Sequence, residues 1–192
     1  MATSRSLLTR VLSNTTKKYN TKKLFTDKLF DLYDANISIS SYPLYKTNLT
    51  IFSLSVVNPK YVNEKDLYEE AFSLLKEVIF NPNIENESFL QSVFLEEKRI
   101  LRDQINNTYN NKSLYAFNRL LQEMGKDEIF SISSLGTIED LEKITPHSLY
   151  NHYQKMLNEE MAKVFILGDI NETDVKRFFS TYPFTSNVKK LE

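Results

Sequence analysis

Apolar positions recur along the chain with two periods. Leu7, Leu8, Val11 and Leu12 share one face of a helix expected over 4–15. A second helix is expected from a Thr21 cap to about Tyr33, with Leu24, Phe25, Leu29, Phe30 and Leu32 as its apolar set. Asn36-Ile37-Ser38-Ile39-Ser40 then alternates strictly, and after a turn around Pro43 to Asn48 comes the run from Leu49 to Val57. These two segments predict an antiparallel strand pair.

From there the helical period dominates. Asn63 to Phe80 predicts a helix with Leu67, Ala71, Leu74, Leu75 and Val78 inward, stopped by Asn81-Pro82-Asn83. Residues 87–110 predict a long helix carrying Phe89, Val93, Phe94, Leu101 and Ile105, and 112–124 another that ends at Gly125. After an irregular stretch at 126–136, Thr137 opens a short helix with Glu139 and Asp140 in its first turn, where acids favour the helix dipole. Thr145-Pro146 starts the next helix, to about Asn158. Ala162 to Gly168 predicts a buried strand, and Asn171 or Thr173 caps a last helix to about Ser180. The order predicts an α+β domain, an antiparallel sheet with helices packed on one face. Three strands are thin cover for so many helices, so the sheet is expected to need strands beyond these. No internal repeat or low-complexity tract is present.

Composition narrows the chemistry. A length of 192 residues suits one domain, expected over 1–190, with the terminal Leu191-Glu192 reading as a cloning scar. A hydrophobic fraction of 41%, with 13 Phe and 11 Tyr, supports a core. The 24 basic and 25 acidic side chains leave a net charge of −1, which gives no general pull toward nucleic acid or an anionic membrane. With no cysteine, disulfides, thiolate metal sites and a cysteine nucleophile are excluded. Three glycines assemble no phosphate-binding loop. No apolar run approaches the roughly eighteen residues of a membrane span. The first 28 residues hold seven Lys or Arg against Asp27 alone, superficially like a transit peptide; the reading adopted is a helix with a basic, solvated face. A cytoplasmic location is expected.

Four segments carry a family resemblance. They are Phe30-Asp31-Leu32-Tyr33-Asp34-Ala35-Asn36-Ile37-Ser38, Phe94-Leu95-Glu96-Glu97-Lys98-Arg99-Ile100-Leu101-Arg102-Asp103, Leu135-Gly136-Thr137-Ile138-Glu139-Asp140-Leu141-Glu142-Lys143-Ile144-Thr145, and Val164-Phe165-Ile166-Leu167-Gly168-Asp169-Ile170. In this order the chain resembles the N-terminal half-domain of pitrilysin/insulinase-family (mitochondrial-processing-peptidase-like) metallopeptidases. The resemblance implies that the domain lacks its first strands, upstream of Met1, and that the chain is a piece of a longer protein.

Active members of that family carry His-x-x-Glu-His on the first helix, two imidazoles at i and i+4 for zinc with a Glu general base between. The matching positions here are placed near Leu8, Val11 and Leu12, and no His, Asp or Glu precedes Asp27. Asp103 falls where the third ligand is expected, and Glu96 lies one heptad earlier. Leucine and valine neither ligate zinc nor move a proton; Leu8 and Leu12 would instead fill the space at about 1.5–3 kcal/mol per buried side chain. The expectation is therefore no catalytic, cofactor-binding or metal residue, and no cofactor. The resemblance implies an inactive peptidase-like half-domain that binds an extended peptide at a sheet edge or scaffolds an active family subunit, or pairs as a homodimer, with no nucleic-acid or membrane partner.

Rival chemistries are weaker. His147 and His152 are five apart on one helix, about 140° around it from each other, where helical zinc sites use i and i+4. A displaced zinc site would need them with Asp103. Glu96, Glu97 and Asp103 alternate with Lys98, Arg99 and Arg102, the pattern of ion pairs on a solvated helix. The Asn-x-Thr triplets at Asn14, Asn48 and Asn106 read as chance matches to the glycosylation pattern. The remaining alternative is an unrelated α+β interaction domain.

Overall fold

The computed structural model describes residues 2–44, 47–126 and 133–184. Helices α1 (Ala2–Leu12) and α2 (Lys22–Asp31) lead into a hairpin of β1 (Asn36–Leu44) and β2 (Thr47–Ser55). Then come α3 (Leu67–Phe80), the short strands β3 (Ile84–Glu85) and β4 (Ser88–Phe89), and helices α4 (Gln91–Asn107), α5 (Lys112–Met124), α6 (Ile138–Lys143), α7 (Pro146–Glu159) and α8 (Glu172–Ser180). The architecture is α+β. Among the described residues no helix is long and apolar enough to cross a membrane.

Local chemistry explains most of the boundaries. Thr21 Oγ1 accepts the Leu24 amide at 3.2 Å, Thr137 Oγ1 the Asp140 amide at 3.2 Å, and Asn171 Oδ1 the Asp174 amide at 2.8 Å. Each satisfies a backbone donor that the first helical turn leaves unpaired. At α7 the cap is reciprocal: Ser148 N donates to Thr145 Oγ1 (3.1 Å) and Thr145 N to Ser148 Oγ (2.9 Å). The expected start of the long helix at 87 is corrected. Asn86 and Glu87 take positive φ, the two-residue turn that closes a tight hairpin, so Phe89 sits on β4 and α4 begins at Gln91.

The hairpin follows its alternation. Ile37 pairs with Leu54 and Ile39 with Phe52, all on the face that packs against helices. Helix α1 lies at the centre of the larger core, where Leu7, Leu8, Val11 and Leu12 meet Phe94 and Leu101 of α4, Leu141 of α6, and Leu149 and Tyr153 of α7. A second core joins Phe25 to Ala71, Leu74 and Val78 of α3. Ile39 touches both. Buried phenols tie the layers: Tyr153 donates to the Ile79 carbonyl and Tyr182 to the Phe72 carbonyl, each at 2.8 Å. Burial pushes both phenols above their ordinary pKa.

Gly136 is required where it stands. Its φ is +85°, and a Cβ there would come within 1.9 Å of Thr3 Oγ1. That close approach lets Thr137 N donate to Thr3 Oγ1 at 3.2 Å, joining the entry of α6 to the start of α1.

Three expectations are corrected. The segment 162–168 is neither paired nor buried: among the described residues no strand hydrogen-bonds to it, and Phe165 is 87% exposed. Its composition suits a central strand, but a strand exists only with a neighbour. Its far end is held at Asp169, which accepts from Lys60 Nζ at 2.5 Å and Asn58 Nδ2 at 3.3 Å; the Lys60 bond holds its carboxyl below the usual value. In α2, only Phe25 of the expected helical set and Leu32 just after it are buried, while Phe30 stands in solvent. Lastly, Arg5 is not on a solvated face. It is largely buried, donating to Thr50 Oγ1 at 3.0 Å and forking onto Glu160.

Candidate functional site

One face of α1 is apolar and lies in the core; another is polar and opens on a cleft. The cleft, about 320 Å³, lies between α1, α4 and the Ile39 side of β1, and is lined by Ser6, Thr9, Arg10, Ser13, Asn14 and Glu97. Ser6, Thr9, Arg10 and Ser13 recur at three- and four-residue steps, so one stripe of the helix supplies them.

Two hydroxyls are engaged within α1, Thr9 Oγ1 donating to the Ser6 carbonyl (3.0 Å) and Ser13 Oγ to the Thr9 carbonyl (2.7 Å). The long polar side chains cross to α4. Asn14 Nδ2 donates to Glu97 Oε1 at 2.9 Å, and Arg10 Nη2 donates to Gln104 Oε1. Glu97 is only 5% exposed, yet its charge is balanced, because Lys22 Nζ lies 3.4 Å from it and 2.8 Å from Glu96. Burial works against the Lys22 ammonium, but the two carboxylates more than offset it and its pKa lies above the usual lysine value. Arg10 is different. Its guanidinium bonds a neutral amide, and no carboxylate lies within 4.0 Å of it among the described residues.

The residues singled out from sequence do not gather here. Leu8, Val11 and Leu12 all lie in the core, Leu8 and Leu12 each 1% exposed, and none lines the cleft. Asp103 points to solvent and pairs with Arg99 one turn away at 3.1 Å. Glu96 pairs with Lys22 on the surface. His147 donates Nδ1–H to the Glu87 carbonyl at 2.9 Å. His152 lies elsewhere on α7 with Nε2 buried and unpartnered; burial, then the nearby Arg5, lower its pKa. Among the described residues no three His, Asp or Glu side chains group closely enough to hold a metal ion, so a displaced site from His147, His152 and Asp103 is not assembled.

Comparison with known proteins gives relatives but no family model: no known family model matches the chain. The chain is 29% identical over 181 residues to the Bacillus subtilis (strain 168) protein named "Probable inactive metalloprotease YmfF", which covers 94% of this chain and 42% of that protein. It also matches the crystal structure of a conserved protein from Enterococcus faecalis V583, with a TM-score of 0.89 and 31% identity, over 96% of this chain and 44% of that one. The chain therefore spans less than half the length of either relative.

Arg10 and Asn14 are cleft residues to which the sequence reading gave no role, and Glu97, expected on a solvated ion-paired face, is instead buried in the cleft wall. A signal was there: Ser6, Thr9, Arg10 and Ser13 form a second stripe on the helix whose apolar stripe was read correctly. Its partners on α4 lie about ninety residues away, and no local spacing reveals them.

Proposed function

We propose that this chain is a catalytically inactive metallopeptidase-like half-domain, of the pitrilysin/insulinase type, that binds an extended peptide or scaffolds an active partner subunit. The observation that carries the reading is the α1 stripe facing α4. The motif positions expected near Leu8, Val11 and Leu12 lie in the core, so we move the match two residues upstream, to Ser6, Thr9 and Arg10, which stand at i, i+3 and i+4, the spacing at which His-x-x-Glu-His would present its two zinc ligands and its base. This donor set does not fit a zinc ion. Two neutral hydroxyls and a guanidinium replace two imidazoles and a carboxylate, and the one carboxylate of the cleft, Glu97, is already paired with Lys22 and Asn14. Zinc prefers neutral imidazole and carboxylate donors, and a permanent cation beside it is repulsive. The name of the Bacillus subtilis relative agrees with an inactive protein. A peptide-binding role is supported by the hairpin, whose outer edges pair with no further strand among the described residues, leaving backbone groups for an added strand.

The test is elemental analysis for zinc together with hydrolysis of quenched fluorescent peptides. Zinc near zero per chain and no cleavage are expected. One zinc per chain with chelator-sensitive cleavage would overturn the reading.

A further inference from the structure

We propose that the α1–α4 cleft binds the carboxylate of a peptide, either a C-terminal carboxylate or an acidic side chain, through Arg10. The proposal rests on the peptide-binding reading above and names the group recognised. Three observations support it. Arg10 reaches into the cleft and spends one bond on the neutral Gln104 Oε1, so most of its planar fork of donors has no partner among the described residues. Four other cations that link elements each meet a carboxylate: Arg5 with Glu160, Lys22 with Glu96, Lys28 with Glu70, and Arg102 with Glu142. Arg10 has no such carboxylate among the described residues, and it lines a polar cleft. Finally, the negative charge lining the cleft is already neutralised, since Glu97 accepts from Asn14 and Lys22 and does not reach Arg10.

A carboxylate fits this geometry because its two oxygens accept two parallel N–H bonds from one guanidinium. The Gln104 oxygen accepts from Arg10 and so holds the guanidinium, while the Ser6 hydroxyl, bonded to no described residue, adds a further donor at the cleft wall.

The experiment is an amide-detected NMR titration of the whole chain with N-acetylglycine and, separately, with N-acetylglycinamide, which differ only in the carboxylate. N-acetylglycine is expected to shift amides of residues 6–14 and around Gln104 saturably, and the amide to bind about tenfold more weakly or not at all. Arg10→Gln should abolish the carboxylate response while leaving the rest of the spectrum in place, because among the described residues the only side-chain bond it removes is the one to Gln104. Arg10→Lys, which keeps the charge but loses the fork, should bind with intermediate affinity. Equal binding of the two probes, no saturable shift by N-acetylglycine, or an undiminished response in Arg10→Gln would each overturn the proposal. So would inorganic phosphate binding in preference to the carboxylate. None of these readouts depends on turnover, so zinc-dependent cleavage could defeat the inactive-peptidase reading while carboxylate binding still stood, and the reverse.

Discussion

Helices α1 and α5 have the same kind of sequence and opposite fates. Both are short amphipathic helices with an apolar stripe at helical spacing. Every apolar stripe residue of α1 is buried, against four other elements. On α5 none is: Leu114, Phe117, Leu120 and Met124 all face solvent, Phe117 at 55% exposure. The segment 162–168 repeats the lesson for a strand. Periodicity specifies which face an element is able to bury, whereas the neighbours within reach specify whether it does. Helix α1 is reached by the hairpin, α4, α6 and α7; α5 is held chiefly by the turn at 108–110, through Tyr109 stacked edge-on to Tyr115 at 5.1 Å.

The sharpest break of this comparison is a matched truncation. Leu8→Ala in α1 should destabilise the chain by about 2–5 kcal/mol, since it opens a cavity in a packed core. Phe117→Ala in α5 should change stability by no more than about 0.5 kcal/mol. Denaturant unfolding of both variants is the check, and equal losses would mean that α5 is covered in solution. A smaller effect is expected where α1 meets the entry of α6. Gly136→Ala should cost about 1–3 kcal/mol, because φ is +85° and the new methyl meets Thr3. Thr3→Ser, which keeps the hydroxyl bonded to Thr137, should be far milder in the same assay.

The smallest effect is pH-dependent and also concerns what packs on α1. His152 faces Arg5 of α1, Glu160 and Lys155, and its pKa is lowered from 6.5, by burial first and by Arg5 second. The folded state keeps the ring neutral while the unfolded chain protonates it near 6.5. The unfolded state therefore binds more protons in that window, and stability falls as pH drops through 6.5 toward the folded pKa. His152→Gln should flatten thermal stability between neutral and mildly acidic pH relative to the parent chain. An unchanged slope would show that another group carries it.

Much of the fold was legible because it is local. The caps at Thr21, Thr137 and Thr145, the inward set of α3 and the Ile37–Ile39 alternation all depend on residues a few positions apart, and each holds in the structure. The tight hairpin at 84–89 was missed because positive φ at Asn86 and Glu87 has only a weak local signal. The cleft was half legible: the polar stripe of α1 can be found in sequence, but Glu97 joins it, and Gln104 meets Arg10, only through the crossing of α1 and α4.

By itself, then, the sequence determined the α+β class, the place of each helix along the chain, the inward faces of α1 and α3, and the absence of any His or carboxylate on α1, since these follow from backbone propensity and side-chain chemistry along a short stretch. Tertiary structure alone decided that Leu8 and Leu12 fill a core while Arg10 opens on a cleft, that Arg5 is buried against Glu160, and that 162–168 stays unpaired. Those outcomes depend on which distant surfaces meet, and burial, ion pairing and strand formation each need a partner that the local sequence does not contain.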